Sequence, residues 1–336
     1  MKAPLVSILC VTYNHEQFIG ACLESLVSQK CDFNFEILIH DDASTDGTQD
    51  IIKTFQKKYP DIVKPILQTE NQWSKQAGGI NLRFNYPRAK GKFIALCDGD
   101  DYWIGADKLE NQVRFLENNP NYSLVCGGYN LVENGVETPV IKSGLAATEK
   151  EDEKGFSFNL EALIKGWFIR PSTVLFRDLP DQADIMESYE FSFDVHLFYH
   201  LLRTKDAYYS KAVLAGYNRH GGGVYSGRRP QDLLLAHYYI FKEIYERDNN
   251  EFVKKKYLDI SYKVLNLRIS GLMPTRKIKT LALKNKNVGI RDLYKEIKSL
   301  INTKEEQQKL QKSLIPLQLK LIKAKVFRLL SPSKKA

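Results

Sequence analysis

The stretch Phe93-Ile94-Ala95-Leu96-Cys97-Asp98-Gly99-Asp100-Asp101-Tyr102-Trp103 decides how this chain is read. An apolar run fit for a buried strand ends in a turn bearing three carboxylates, and the carboxyl end of a strand is where an open α/β sheet binds its ligands. Asp98 and Asp100 stand two apart around a glycine that permits a tight turn. Both can therefore face one hard cation, which prefers oxygen ligands and shares its shell with phosphates. A metal-bound diphosphate suits such a turn. A solvated acidic turn is the plain alternative, and the neighbouring sequence has to separate the two.

Working outward, Leu5 to Thr12 reads as a buried strand ending in Thr12-Tyr13-Asn14. Ile19, Cys22, Leu23, Leu26 and Val27 then recur at helical spacing. Phe35 to His40 is a second strand, followed by the polar loop Asp41-Asp42-Ala43-Ser44-Thr45-Asp46-Gly47-Thr48 and a helix carrying Ile51, Ile52, Phe55 and Tyr59. Val63 to Gln68 adds a third. Strands alternating with helices predict a mainly parallel sheet covered on both faces, with Thr12, Asp41 and Asp98 at its carboxyl edge. Asp42, Ser44, Asp46 and Gly47 imitate a calcium loop, but the position that needs a glutamate is Lys53, so that reading falls.

Val6-Ser7-Ile8 through Thr12-Tyr13-Asn14, Cys22-Leu23-Glu24-Ser25-Leu26 with Gln29, the Asp41 to Thr48 loop, and Asp98-Gly99-Asp100-Asp101-Tyr102-Trp103 together resemble a family 2 glycosyltransferase. The likeness extends more weakly to about residue 226. It implies the GT-A fold and inverting transfer of a sugar from a nucleotide-diphosphate donor, with UDP-hexose or UDP-N-acetylhexosamine expected. By the same resemblance, Thr12, Tyr13, Asn14, Asp41, Asp98, Gly99 and Arg219 would contact the donor, Asp41 accepting from a uracil ring N–H. Asp100 would be the main ligand of Mg2+ or Mn2+, with Asp98 meeting the metal or the ribose. Asp42 and Asp46 read instead as caps of backbone N–H groups. The chain departs from the commoner pattern ahead of the metal motif, which leaves Lys75 and Arg83 as candidates for the donor phosphates.

Inverting transfer needs a base for the acceptor hydroxyl. In Phe191-Ser192-Phe193-Asp194-Val195-His196-Leu197 the carboxylate of Asp194 matches the position of the family's catalytic Asp and opens an apolar helix, with Glu190 in reserve. Arg219-His220-Gly221-Gly222-Gly223 follows another strand and resembles a segment that closes over the donor. His220 is there a candidate metal or diphosphate ligand, and the glycines let backbone N–H groups approach phosphate. Trp167 to Arg177 would lie on the acceptor side.

The chain has 336 residues, 43% of them hydrophobic, enough for one substantial core and an appendage: a catalytic domain over 1–226 and a basic helical region over 227–336. Five cysteines with no Cys-x-x-Cys pair argue for a reducing compartment and against structural zinc. No run approaches a membrane span, so a cytoplasmic protein is expected. Residues 226–336 hold 26 Lys or Arg against 10 Asp or Glu, whereas the whole chain holds 49 against 40. Ile315, Leu319, Ile322, Val326 and Leu329 form an apolar stripe flanked by lysines. Such a helix either lies on an anionic membrane, reaching a lipid-linked acceptor peripherally, or packs on the catalytic domain. A processive synthase is disfavoured because its Gln-x-x-Arg-Trp motif is absent. A nucleotidyltransferase lacks its Gly-rich, Lys-containing loop here, and a specific nucleic-acid binder lacks any module signature.

Overall fold

The computed structural model describes residues 3–75, 79–143, 152–178, 189, 194–223, 229–272 and 288–314. The chain divides into two compact units, Met1–Gly227 and Arg228–Ala336.

The first unit is built on strands β1 (Val6–Thr12), β2 (Phe35–Asp41), β3 (Val63–Leu67), β4 (Phe93–Leu96), β5 (Tyr102–Trp103), β6 (Tyr122–Glu133), β7 (Val136–Val140), β8 (Gly155–Phe158), β9 (Leu175–Arg177) and β10 (Asp206–Asn218). They form one sheet in the order β3-β2-β1-β4-β9-β6-β10-β5, with β7 on β6 and β8 on β10. The part formed by β3, β2, β1 and β4 is parallel, as alternating strands and helices require. Beyond β4 the sheet becomes mixed, because β9 pairs antiparallel with both β4 and β6 while β10 runs parallel to β6. Helices α1 (Ile19–Val27), α2 (Thr48–Lys58), α3 (Gln72–Lys75), α4 (Lys108–Asn118), α5 (Leu160–Lys165) and α6 (Asp194–Leu202) accompany it.

Period-2 alternation along β1 sends Val6, Ile8 and Cys10 into a core with Cys22, Leu23 and Leu26 of α1, Ile37 and Ile39 of β2, and Phe93 and Ala95 of β4. All five cysteines are free thiols, and Cys10, Cys22, Cys97 and Cys126 are buried as small hydrophobes. Because β1, β2 and β4 run the same way, their carboxyl ends share one edge, which carries the acidic loops.

The second unit contains α7 (Pro230–Asp248), α8 (Glu251–Ile269), α9 (Ile290–Leu300) and a further helix over 304–314. Its buried side includes Leu235, Ile244, Val264, Leu265 and Ile297. Glu296 of α9 accepts from the hydroxyls of Tyr238 and Tyr257 and pairs with Lys242. No helix among the described residues is long and apolar enough to cross a membrane. The apolar stripe from Ile315 to Leu329 lies outside the described residues.

Candidate active site

The turn after β4 is fixed from below. Gly99 N–H donates to Val11 O at 2.8 Å and Asp101 N–H to Asp98 O at 3.0 Å. A Cβ on Gly99 would come within 2.6 Å of Thr12 Cβ and Oγ1, so only glycine lets the turn settle on the end of β1. Beneath it, Thr12 is buried and its Oγ1 has no hydrogen-bond partner among the described residues.

The same turn is held from above. Trp103 and Tyr102 pair antiparallel with Ala215 and Gly216 of β10. Asn218 at the end of β10 donates its side-chain amide to Asp100 O at 2.6 Å and its backbone N–H to Asp101 Oδ1 at 3.2 Å. This register delivers His220, whose Nε2 lies 3.0 Å from Asp100 Oδ2.

A third side chain joins them that the sequence reading passed over. His15 Nε2 lies 3.8 Å from the same Asp100 oxygen, and its ring stands edge-on to that of His220 with centroids 5.7 Å apart. One ligand atom from each of His15, Asp100 and His220 can be chosen so that all lie within 4.8 Å of one another. Two imidazoles and a carboxylate fit a divalent cation, and His15 Nε2, 3.8 Å from Asp100 Oδ2, is too far from it for a direct hydrogen bond. The available signal was its position: His15 directly follows Thr12-Tyr13-Asn14 at the edge that carries Asp100. Asp98 does not join this trio.

Burial dominates the electrostatics of the surrounding carboxylates. Asp98 is pushed up to about 7 by desolvation, then by the charges of Asp100 and Asp194. Asp101 rises well above the ordinary range through burial and its two acidic neighbours. Asp100 is the exception: burial pushes it up, but the hydrogen bond from His220 and the fields of His15 and His220 outweigh that and hold it low. Burial lowers His15, against the pull of Asp100, so its imidazole is neutral at pH 7.

Asp194 opens α6, accepts from Val195 N–H at 2.9 Å, and is raised by burial despite that bond and the nearby Arg170. It is thus both a helix-start acceptor and an electrostatic neighbour of Asp98. Arg170 lies over the ring of Tyr217, 4.2 Å from its centroid, and 5.1 Å from that of Tyr129. Glu190 lies outside the described residues.

The other candidates are spent differently. Asp41 is fully buried and accepts from Ser44 N–H and hydroxyl and, at 2.6 Å, from Gln49 Nε2. Asn14 adopts a left-handed backbone, φ 54°, and its carboxamide accepts from Thr45 N–H at 2.7 Å. Tyr13 is exposed. Asp42 accepts from Gln72 and Trp73 N–H, the start of α3, and Asp46 from Thr48 and Glu16 N–H, which agrees with their reading as caps. Arg219 pairs with Glu133 at 2.9 Å and Lys75 with Glu70. Arg83 lies over Phe84, close enough to Asp42 to feel its charge.

A family model described as glycosyl transferase family 2 matches residues 7–177. The chain belongs to that family. Among its relatives, an uncharacterized protein of Mycobacterium bovis is 30% identical over 191 residues, 54% of this chain and 49% of that protein. WfaP of Escherichia coli, named a UDP-Glc:alpha-D-GlcNAc-diphosphoundecaprenol beta-1,3-glucosyltransferase, is 40% identical over 113 residues, 34% of this chain and 41% of its own. The crystal structure of S. aureus TarS in complex with UDP-GlcNAc superposes with a TM-score of 0.54 at 19% identity, covering 88% of this chain and 90% of that one. That likeness speaks for the fold, which is GT-A. The chain spans about half the length of the curated relatives it matches.

Proposed function

We propose that this chain is an inverting, metal-dependent glycosyltransferase that moves a hexose or N-acetylhexosamine from a UDP-sugar to a lipid-linked or surface-glycan acceptor. The observation that carries the reading is the meeting of Asp100 and His220 at the carboxyl edge of the sheet, with Asp194 close enough to raise the pKa of Asp98. The donor assignment is supported by WfaP, named for UDP-Glc, and by TarS, solved with UDP-GlcNAc. The lipid-linked acceptor rests on the diphosphoundecaprenol in the name of WfaP.

In this reading Asp100 and His220 would hold Mg2+ or Mn2+, which when bound would neutralise charge building on the leaving diphosphate. Thr12, at the end of β1 and buried beneath the Gly99 turn, and Asp41, which shapes the neighbouring loop through Ser44, would form the floor of the nucleoside site. Asp194 would take the proton of the acceptor hydroxyl as its oxygen attacks the anomeric carbon and the bond to the diphosphate breaks. A carboxylate raised by burial is a better base than an exposed one. We place the reaction in the cytoplasm, where five free thiols stay reduced, with the acceptor reached at the inner membrane surface.

The test is a donor-hydrolysis screen of the purified chain with UDP-Glc, UDP-GlcNAc, UDP-Gal and GDP-Man, each with Mg2+ or Mn2+. Metal-dependent release of UDP from one sugar is expected. Release of pyrophosphate from a nucleoside triphosphate would make the chain a nucleotidyltransferase, and inertness towards every donor would overturn the reading.

A further inference from the structure

We propose that His15 is a third protein ligand of the cation, completing a site of two imidazoles and one carboxylate that selects Mn2+ and related transition ions over Mg2+. The inference rests on the metal-dependent reading above and goes beyond it by adding a residue and a selectivity.

Geometry carries it. Atoms sharing one cation at about 2.0–2.2 Å are separated by roughly 3 to 4.3 Å. The distances to Asp100 Oδ2, 3.0 Å from His220 Nε2 and 3.8 Å from His15 Nε2, both fall in that window. At 3.8 Å the His15 contact is too long for a hydrogen bond, so this direct contact leaves the ring unsatisfied on that side. Its other nitrogen is buried and unpartnered among the described residues, and the side chain as a whole is only 14% exposed.

The backbone that carries the ring is held from several directions. The His15 backbone N–H donates to Thr48 Oγ1 at 2.9 Å, the flanking Asn14 and Glu16 backbone N–H groups donate to Ser44 and Asp46, and the Phe18 ring stands edge-on to the His15 ring with centroids 6.3 Å apart. The loop after β1 is thereby stapled to the loop after β2. A side chain on a doubly held loop is positioned in advance, which is what a ligand needs and a solvent-facing histidine does not. Imidazole nitrogen suits transition ions, whereas Mg2+ keeps water and carboxylate or phosphate oxygen. Replacing water by a second imidazole therefore separates the two ions.

The experiment uses the full chain with saturating UDP. Mn2+ and Mg2+ are titrated calorimetrically, and pulsed electron paramagnetic resonance counts the imidazole nitrogens coupled to bound Mn2+. Two coupled imidazoles are expected in the unaltered protein, with Mn2+ bound at least about 10-fold more tightly than Mg2+. His15→Gln should lower Mn2+ affinity about 10-fold, leave Mg2+ within about threefold, and retain one imidazole. A single imidazole in the unaltered protein, or an unchanged ion preference in His15→Gln, overturns the inference. So does a variant that loses UDP affinity equally without metal, which would make His15 a phosphate contact. If Asp100→Asn abolishes cation binding while His15→Gln leaves the Mn2+ affinity unchanged, only this inference falls. If the unaltered protein with UDP binds no cation, the metal-dependent reading falls as well.

Discussion

Two acidic loops at the same sheet edge look alike in sequence and are used in opposite ways. In the loop after β2, Asp41, Asp42 and Asp46 give their oxygens to Ser44, Gln49, Gln72, Trp73 and Thr48, and the structure spends them on holding itself. In the turn after β4, Asp98 and Asp101 crowd against Asp100 in a buried place and are pushed up, with Asp194 adding to the field on Asp98. Carboxylates that donors satisfy are architecture. Carboxylates held together against their own repulsion store a cost that a cation and a substrate relieve on binding.

The comparison breaks most visibly at Asp100. Asp100→Asn keeps the shape and removes the charge that His15 and His220 face, so turnover should fall by about 10³-fold or more, the several kcal/mol expected of lost charge stabilisation. The melting temperature should stay within a few degrees, because among the described residues no backbone N–H of another residue donates to its carboxylate. Steady-state UDP release and thermal melts on one preparation check both. Full turnover in the variant would remove Asp100 from the chemistry and make the two loops equivalent.

Asp194 sharpens the same contrast from the acceptor side. Asp194→Asn should reduce turnover by about 10²-fold or more with UDP-sugar affinity nearly unchanged, since the proton moves only in the transition state. In the unaltered enzyme, turnover should rise with pH as this carboxyl ionises, with a midpoint above the usual aspartate range because burial raises it. The variant should lose that limb. An unchanged pH profile would assign the limb to another group and leave Asp194 as the helix-start acceptor it also is.

The asymmetry between the loops also governed what could be read in advance. The parallel units β1-α1, β2-α2 and β4 are legible because each joins a short apolar run to a polar loop at helical or strand period. The mixed part beyond β4 was legible only at β10. β6 carries Gly127-Gly128 in its middle, where a Cβ at Gly127 would lie 2.9 Å from Ser210 O and one at Gly128 3.1 Å from Ala212 O. Those glycines serve close strand approach, which sequence cannot distinguish from a bend. β5 is two residues long and exists only as a partner of β10. Asp100 and His220 stand out as separate motifs, but their 3.0 Å approach depends on β10 returning beside the turn, and the 3.8 Å approach of His15 to the same oxygen likewise depends on the fold. Asp41 reads as a donor contact from its place at the strand end; that Ser44 and Gln49 also donate to it depends on how the loop and α2 fold back, which no motif encodes.

A loop built for holding should fail in stability rather than in chemistry. Asp42→Ala leaves Gln72 and Trp73 N–H without their carboxylate acceptors, at a cost of about 1–2 kcal/mol for a lost cap. That corresponds to a drop of roughly 2–8 °C in melting temperature for a unit of this size. Turnover per folded molecule should remain within about threefold. A variant that melts normally but turns over poorly would move Asp42 to the chemical side of the comparison.

The last effect is a pH slope at Asp98. Its folded pKa is raised to about 7, first by burial and then by Asp100 and Asp194, while an unfolded aspartate titrates near about 3.9. Between those values the folded chain keeps a proton that the unfolded chain has released, so without metal and donor this group favours folding at low pH and loses that contribution as pH rises towards 7. Asp98→Asn cannot ionise and should remove this part of the slope: relative to the unaltered protein it should gain stability from pH 5 to pH 8. Denaturant melts of the metal-free protein at pH 5, 6, 7 and 8 measure the difference. A difference that stays flat across this range would mean that Asp98 ionises as freely in the folded chain as in the unfolded one. The turn after β4 would then hold its carboxylates without the crowding that sets it apart from the loop after β2.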